Sequence, residues 1–532
     1  MQNATTQPYD VIIIGGGHNG LIAAAYLAKA GKKVVVLEKR PILGGATVTE
    51  EIYPGFKYTV FSYVVSLLRP EIIRELELAR HGLTMLPLES TFTPMPNDDY
   101  LVRWGDYHKT YREIARHSRR DADTYTDYGR LMGHMAKAAK PILGVVPPDI
   151  GSLDPRKLHP IDMAQLARHF LGLEEGHLNA FIKLMVMSSA DFLDEWFETE
   201  ALKATMSASG IIGTFLGPRS PGTAYVLLHH YMGEIDGVFR AWGFAKGGTG
   251  AVAESIASSA REWGADIRTS APVAQVIVKN GRSTGVALEN GDELYAHVVA
   301  SSLDPRQTFL NLVDETQLPA EFVTAIKKFR YRGSSAKVNL ALDGLPNFTS
   351  LPGFGPHLRG AISISPSIEY LERAYDDAKY GEFSKRPYID MIIPSLIDPD
   401  MAPPGKHVMS CFVQYAPYHL TNGSWDQRRE EFGDTVIDTI AQFAPNIKDI
   451  ILHRQVMTPL DIERVTGLSE GNIFQGELSL QQLFFLRPAP GWSNYRTPIK
   501  GYYQCGSGAH PGGGIMGASG RLGALEILKD WS

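Results

Sequence analysis

Residues 9–38 decide the fold of this 532-residue chain and read YDVIIIGGGHNGLIAAAYLAKAGKKVVVLE. The apolar run at 9–14 predicts a short strand, the Ala- and Leu-rich stretch that ends at Ala30 predicts a helix, and the run at 33–37 predicts a second strand. Three consecutive glycines separate the first strand from the helix. The stretch therefore predicts a strand, turn, helix and strand of an α/β fold.

The glycines of this turn have the spacing of a dinucleotide-binding motif. Gly15-x-Gly17-x-x-Gly20 follows a predicted strand and opens a predicted helix, which is the context in which the motif binds a pyrophosphate. Gly15 permits the tight turn, Gly17 lets the backbone approach the phosphates, and Gly20 lets the helix pack close to the strand. Glu38 ends the second strand 23 positions after Gly15, where a carboxylate accepts hydrogen bonds from the adenosine ribose. NAD and FAD both fit this unit.

Two further glycine clusters favour FAD over NAD. The first is Gly44-Gly45, which permits close backbone approach to a second part of an extended cofactor. The second lies at 501–523 and contains nine glycines, between a predicted strand and a helix predicted at 516–530. The N-terminus of that helix would lie beside the flavin and stabilise the negative charge of its reduced form. FAD is therefore the expected cofactor.

Composition and charge exclude several other classes of function. The 52 Lys and Arg are outnumbered by 58 Asp and Glu, for a net charge of -6 without basic blocks, so no nucleic-acid partner is expected. Cys411 and Cys505 are the only cysteines, which excludes a disulfide framework, a CxxC redox pair and a Cys-rich zinc site. No apolar run reaches the ~18 residues of a membrane span, and residues 1–8 have no features of a leader. A cytoplasmic location is predicted.

The rest of the chain changes periodicity several times. Residues 76–237 have a mainly helical pattern broken by prolines, which predicts a helical cap. Asn280-Gly281 and Asn290-Gly291 each separate two strand-like runs and predict hairpins. The strand-like runs lie at 273–279, 283–289, 293–300, 336–342 and 408–415, and a helical pattern lies at 426–443.

Longer motifs occur along nearly the whole chain. They are GGGHNGL at 15–21, VTEEIYPGF at 48–56, WFE at 196–198, YVLLHH at 225–230, GGTG at 247–250, APPG at 402–405, GNIF at 471–474 and CGSGAHPGGG at 505–514. In these motifs the chain resembles the phytoene desaturase and carotenoid isomerase branch of the FAD-dependent, amine-oxidase-like flavoproteins. Many amine oxidases have an acidic residue where this chain has Gly506-Ser507-Gly508, which is similar to the desaturase branch.

The resemblance implies an α/β fold in which a Rossmann-like FAD-binding domain is interleaved with an α+β substrate domain. The FAD-binding parts would be residues 1–75, 238–305 and 481–532, and the substrate domain would comprise the cap at 76–237 and residues 306–480. The residues expected to bind FAD are Gly15, Gly17, His18, Asn19, Gly20, Glu38, Lys39, Arg40, Gly44, Gly45, Ala46, Thr47, Val273, Gly506, Ser507, Gly514, Ile515 and Met516. Val273 is implied by the family alone, as a backbone contact to the adenine.

Few protein groups are expected to react, because a flavin carries out the redox step itself. His510 is a weak catalytic candidate that could tune the flavin or accept a proton, and Tyr495 is a weak catalytic candidate that could line the pocket. A structural role is the favoured alternative for both. Aromatic candidates for the pocket wall, again with core packing as the alternative, are Trp492, Phe484 and Phe485. His229-His230 predicts no metal site, because adjacent side chains point to different faces and no Asp, Glu or Cys accompanies them.

The sequence favours an oxidoreductase that takes a hydride from an apolar or unsaturated small molecule and passes the electrons to oxygen or a quinone. Two alternatives remain open: a flavin-dependent polyene isomerase without net oxidation, and a flavin-binding scaffold that acts through protein partners. Reversible membrane association through residues 58–68 or the helical cap is a further hypothesis, with core packing as its favoured alternative.

Overall fold

The computed structural model describes residues 9–149, 160–172, 175–235, 238–239 and 242–531. The described strands are β1 (Tyr9–Ile14), β2 (Val34–Leu37), β3 (Thr49–Tyr53), β4 (Phe56–Thr59), β5 (Met85–Pro87), β6 (Ser90–Pro94), β7 (Tyr100–Trp104), β8 (Glu234–Ile235), β9 (Val238–Phe239), β10 (Gly243–Ala245), β11 (Asp266–Arg268), β12 (Val273–Lys279), β13 (Arg282–Leu288), β14 (Glu293–Ser301), β15 (Ser335–Leu342), β16 (Ala361–Ile364), β17 (Tyr388–Ile392), β18 (His407–Gln414), β19 (Ile451–Met457) and β20 (Tyr502–Gln504). The described α-helices are α1 (His18–Lys29), α2 (Pro70–Glu75), α3 (Tyr107–Ala115), α4 (Arg119–Ala139), α5 (Pro160–Leu171), α6 (Glu175–Val186), α7 (Ser189–Asp194), α8 (Glu200–Ser207), α9 (Thr223–Tyr231), α10 (Gly250–Glu262), α11 (Ala320–Lys328), α12 (Ile368–Lys379), α13 (Trp425–Ala441), α14 (Ile447–Ile450), α15 (Pro459–Thr466) and α16 (Ala518–Trp531).

The first sheet carries the glycine-rich turn. Its strand order is β11-β2-β1-β14-β13-β12, with β20 also paired to β14. β1 lies parallel to both β2 and β14 in the middle of the sheet. Every residue of β2, like Val11 to Ile14 of β1, is buried, as expected of parallel strands covered on both faces. The predicted hairpins are confirmed, since β12 pairs antiparallel with β13 and β13 with β14.

Three helices cover one side of this sheet. α1 packs against both α10 and α16, so segments from the start, middle and end of the chain meet. The C-terminal helix begins at Ala518, whereas the sequence predicted a start at residue 516. Ile515 and Gly517 have φ values of 55° and 77°, which an α-helix does not accommodate, and this delays the helix start.

The second sheet has the order β19-β15-β18-β17-β16-β6-β7. The runs predicted at 336–342 and 408–415 are confirmed as β15 and β18, which pair antiparallel in its centre. The helix predicted at 426–443 is confirmed as α13. Strands of the two sheets therefore alternate along the chain, which is the interleaved α/β arrangement that the resemblance implies.

The prediction of a helical cap at residues 76–237 was wrong for its first part, where strands precede the helices. β6 and β7 form a hairpin there, and β6 joins the second sheet by pairing parallel with β16. The turn between them contains Asn97 and Asp98 with φ values of 64° and 57°. This left-handed pair is a hairpin feature that sequence reasoning overlooked. From Tyr107 to Tyr231 the described segments are mainly helical.

Residues 58–68 do not form a membrane-docking surface. Their apolar side chains are buried, including Tyr58, Val60, Phe61, Val65 and Leu68. Core packing was therefore the correct interpretation of this stretch. Among the described helices, none is long and apolar enough to cross a membrane.

Candidate active site

A deep cavity begins at the glycine-rich turn and extends between the two sheets. Its volume is about 180 Å³. The residues that line its dinucleotide end and the turn beside it are Gly15, Gly17, His18, Asn19, Glu38, Arg40, Gly44, Gly45, Ala46, Thr47, Ser302, Leu303 and Ser507. Residues that lie far apart in sequence thus share one wall.

The N-terminus of α1 faces this cavity without a competing anion. Gly17 is the N-cap residue, with no side-chain cap and no acidic residue in the first turn. A Cβ at Gly17 would have Gly44 O, 4.0 Å away, as its nearest neighbour, so the space beside this backbone is open. Free first-turn amides and the positive end of the helix dipole are suited to a pyrophosphate.

Glu38 lies buried at the end of β2, beside the turn. Its Oε2 accepts a hydrogen bond from Gly16 N at 2.7 Å, and its Oε1 accepts one from Arg40 N at 2.8 Å. The Arg40 guanidinium is bound to Glu50 at 2.9 Å and does not neutralise Glu38 directly. Each Glu38 oxygen keeps a second lone pair, which is the acceptor pattern that ribose hydroxyls require.

His18 provides a test of whether a cofactor fits this wall. Its Nε2 is buried and has no hydrogen-bond partner in the described part of the chain, and its Nδ1 lies 3.5 Å from Thr47 Oγ1. Burial lowers the pKa of His18 to about 4, so the ring is neutral near pH 7. A buried polar atom without a partner requires an explanation, and a polar ligand in the cavity supplies one.

The C-terminal loop reaches the same cavity through Asn19. Asn19 Nδ2 donates to Ser507 Oγ at 2.9 Å, and Asn19 Oδ1 accepts from Gly520 N at 3.2 Å. Gly514 and Ile515 also line the cavity. One first-turn amide of α16 is therefore already bound by Asn19. Fewer N–H groups of this helix remain to bind a flavin.

The opposite end of the cavity is apolar and aromatic. Its lining residues are Phe61, Ser62, Tyr63, Val64, Ser66, Leu67, Ile212, His230, Trp242, Phe412, Ile473, Phe474, Gly514 and Ile515. Ile462, Thr466, Leu468 and Gln475 also line the cavity, on the side where Gly467 lies beside Lys39 and Gln475 binds Ser302 O. Sequence reasoning missed nearly all of these residues, because they come from many segments and carry no motif. Among these described lining residues no side chain is an Asp, Glu, Lys or Arg.

His230 is the one histidine among the described residues at this apolar end. Its ring stacks on Trp242 at a centroid distance of 6.0 Å and on Phe474 at 6.2 Å, and its Nδ1 lies 2.9 Å from Val226 O. Burial lowers its pKa to about 4. The described residues contain no group of three or more side chains that could hold a metal ion.

Five of the residues expected to bind FAD do not line the cavity: Gly20, Lys39, Val273, Gly506 and Met516. Gly20 instead makes the close helix-to-strand contact, since a Cβ there would lie 2.2 Å from Gly15 O. Gly506 is similarly pressed against Ser302 O, 2.3 Å from its Cβ position. Met516 packs with the helices of the cap region. Gly20 and Gly506 therefore act through close backbone packing rather than by facing the cavity.

The weak catalytic candidates His510 and Tyr495 also lie outside the cavity lining. The Tyr495 hydroxyl donates to His510 O at 2.8 Å, and His510 Nε2 lies 3.0 Å from Ile142 O. Both side chains are buried, and burial lowers the pKa of His510 to about 4. Trp492 packs on Phe322 and also lies outside the lining, as do Phe484 and Phe485.

This fold and cavity define a flavoprotein with a dinucleotide end and an apolar end. The family described as flavin containing amine oxidoreductase matches residues 20–527. The chain belongs to this family, and it is an FAD-dependent oxidoreductase.

Similar proteins were found across nearly the full length. The chain is 42% identical to pyridine nucleotide-disulfide oxidoreductase domain-containing protein 2 of Rattus norvegicus, over 98% of this chain and 94% of the rat protein. It is 25% identical to one of the subunits of limonene dehydrogenase from Castellaniella defragrans, over 98% and 94% of the two chains. It is also 25% identical to the lycopene-forming phytoene desaturase of a Paracoccus species, over 98% and 97%. The resemblance to the desaturase branch is thereby confirmed.

A solved structure has the same fold. An oxidoreductase from Methanosarcina mazei superposes with a TM-score of 0.60 at 17% identity, covering 98% of this chain and 100% of that chain. The word disulfide in the name of the rat protein has no counterpart in the cysteines of this chain. Cys411 and Cys505 are both free and buried, and burial raises the pKa of each thiol to about 12.

Proposed function

We propose that this chain is a dehydrogenase that removes a hydride from an apolar or unsaturated small molecule at its bound FAD. The observation that carries the proposal is the apolar end of the cavity, whose described lining contains no acidic or basic side chain apart from the neutral His230. An ammonium group placed there would lose its water and would find no counter-charge. Burying such an unpaired ion costs on the order of several kcal/mol. An apolar carbon skeleton carries no such cost.

The proposed cofactor contacts follow the geometry of the dinucleotide end. Glu38 accepts hydrogen bonds from the adenosine ribose, and the amides that follow Gly17 bind the pyrophosphate. The segment Gly44 to Thr47 and the loop residues Ser507, Gly514 and Ile515 contact the remainder of the cofactor. His18 Nε2 completes its hydrogen bonding with the same ligand.

The bound flavin supplies the hydride acceptor, and electrons leave to oxygen or a quinone. The protein itself excludes water and orients the substrate. Trp242, Phe412 and Phe474 provide flat apolar surfaces, while Tyr63 is held in place because its hydroxyl donates to Asp390 Oδ2 at 2.5 Å. The names limonene dehydrogenase and phytoene desaturase describe reactions of apolar unsaturated compounds, which supports this substrate class.

The proposal is tested by anaerobic mixing of the purified holoprotein with limonene, and separately with benzylamine. We expect limonene or a longer unsaturated hydrocarbon to bleach the flavin absorption band, and benzylamine to leave it unchanged. Bleaching by the amine alone would overturn the proposal. Isomerisation of a polyene without net bleaching would favour the isomerase hypothesis, and a flavin that no small molecule reduces would favour the scaffold.

A substitution of Glu38 tests the proposed contacts to the cofactor. Glu38→Ala removes both acceptors at the end of β2, and we expect the purified protein to lose most of its FAD. Glu254→Ala is the matched control, because Glu254 lies on the exposed side of α10, where it pairs with Arg261 at 2.8 Å. Flavin-to-protein ratios from the visible and ultraviolet spectra report the outcome. Full FAD content in Glu38→Ala would remove the ribose role of this carboxylate.

A further inference from the structure

A second cavity adjoins the apolar end of the first. It has a volume of about 450 Å³, and it lies against β6, β7, β16 and β17 of the second sheet. Val64, Ile212 and Trp242 line both cavities, so these three side chains form a common wall. A molecule in the second cavity therefore lies directly beside the region where the proposed function places the substrate.

Arg103 is the feature of this second cavity that the fold does not explain. Its Nε is buried and has no hydrogen-bond partner in the described part of the chain. One terminal nitrogen lies 3.5 Å from Thr205 Oγ1, at the limit of a hydrogen bond. Among the described residues no carboxylate lies within 4.0 Å of the guanidinium. A permanently charged group with unused donors is thus directed at the cavity.

The other charged groups of the second cavity already have partners. Asp390 accepts from the Tyr63 hydroxyl, and of its cationic neighbours Lys337 interacts with it more strongly than Arg103 does. Lys337 lies behind Tyr63, with its Nζ 4.8 Å from the ring centroid. Glu89 is paired with Arg359 at 2.6 Å where both side chains are partly exposed. Arg103 is therefore the cation left for a ligand among the described residues of this cavity.

We propose that the second cavity binds the carboxylate end of the substrate at Arg103, with the apolar body of the same molecule passing the Val64, Ile212 and Trp242 wall toward the flavin. The substrate class would then extend from plain hydrocarbons to apolar carboxylic acids. A planar guanidinium with unpaired donors matches a carboxylate in charge and in geometry. Tyr388 and Ser363 line the same cavity, and their hydroxyl groups are hydrogen-bonded to each other. This inference rests on the proposed function for the position of the reacting atoms, but the binding site itself does not depend on turnover.

The test measures binding of three probes of equal chain length to the FAD-loaded protein by isothermal titration: dodecanoate, dodecanol and dodecylamine. We expect dodecanoate to bind at least about tenfold more tightly than dodecanol, as one charge-assisted hydrogen bond provides. Arg103→Met should remove that difference and leave dodecanol binding unchanged, which also shows that the variant is folded. Arg103→Lys keeps the charge and should retain part of the preference.

The inference is overturned if dodecanoate does not bind, if it binds no better than dodecanol, or if Arg103→Met keeps the full preference. Tighter binding of dodecylamine would assign the anchor to Asp390 instead and also overturn it. The failure of the proposed function is recognised separately. If dodecanoate binding depends on Arg103 while no unsaturated compound reduces the flavin, the carboxylate site stands and the dehydrogenase proposal falls.

Discussion

The two ends of the main cavity are built in different ways. The dinucleotide end is made of backbone: amides at the start of α1, glycines without side chains, and one carboxylate held by two amides. The apolar end is made of side chains, such as Phe61, Trp242 and Phe412, which different segments contribute. The first design fixes a ligand through local geometry that one short motif encodes, whereas the second depends on the whole tertiary structure.

We expect the largest effect from a substitution that disrupts the dinucleotide end of the cavity. Gly20→Ala places a Cβ 2.2 Å from Gly15 O, so α1 must move away from β1, at a cost of more than ~3 kcal/mol, and FAD should be lost. Gly129→Ala is the matched control, because Gly129 lies in helix α4 with no atom within 4 Å of its Cβ position. That change should stabilise the protein by about 0.5–1 kcal/mol. Urea unfolding and flavin content are measured for both variants. Equal effects of the two substitutions would contradict the close-packing role of Gly20.

A second prediction concerns the support of the side-chain-built end. Arg487 is fully buried and donates to the carbonyls of Phe474, Gly476 and Ser507 at 2.8, 3.1 and 2.8 Å, among others. Arg487→Met leaves these carbonyls without donors and should lower the free energy of unfolding by about 3–5 kcal/mol. Arg103→Met should change it by less than about 1 kcal/mol, because no such network depends on it. Urea titrations compare the two; similar losses would erase the distinction between a structural and a ligand-facing arginine.

A third prediction uses the neutral His18. Burial lowers its pKa to about 4 in the folded state, whereas an unfolded histidine titrates near ~6.5. The unfolded state therefore takes up a proton first as the pH falls from ~6.5 to ~4, and the folded state loses stability over that window, on the order of 3 kcal/mol at most. His18→Gln should reduce the slope of stability against pH there. The buried carboxyls Asp304 and Asp390 have pKa values raised to about 6 and act in the opposite direction, so the comparison of variants is the readout.

Stability measured at several pH values checks this, with a substitution of the exposed His297 by Gln as the control. An unchanged slope in His18→Gln would show that His18 is protonated in the folded protein near pH 5. Added FAD should strengthen the pH effect, because a hydrogen bond to the neutral ring lowers the folded-state pKa of His18 further.

The smallest expected effect concerns the candidate Tyr495. Tyr495→Phe removes one hydrogen bond to His510 O outside the cavity and should cost about 1 kcal/mol of stability. The rate of flavin reduction by a substrate should change less than twofold. Stopped-flow reduction measures it, and a loss of tenfold or more would restore Tyr495 as a catalytic residue.

The sequence predicted the elements whose cause is local. β1, the turn and α1 follow from apolar periodicity and glycine spacing, and the hairpins at Asn280-Gly281 and Asn290-Gly291 follow from turn chemistry. The β6–β7 hairpin had a comparable cue in Asn97 and Asp98 that was overlooked. The start of α16 was misplaced because positive φ values at Ile515 and Gly517 are set by packing in the loop.

The apolar end could not be predicted, because its residues meet only through tertiary structure. Tyr63, Ile212 and Phe412 are far apart in sequence and look like ordinary core residues in their own segments. Arg103 likewise carries no motif. The numbered domain boundaries, the individual FAD contacts, the electron acceptor and the cytoplasmic location stay predictions.

The contact of Asn19 with Ser507 and Gly520 has a consequence for how the protein is made. These bonds join residues separated by 488 and 501 positions. A ribosome adds ~5–20 residues per second, so Ser507 and Gly520 are synthesised roughly 25 to 100 seconds after the glycine-rich turn. During synthesis the nascent chain has an incomplete cofactor wall, so FAD capture is a late event that follows the emergence of the last helix.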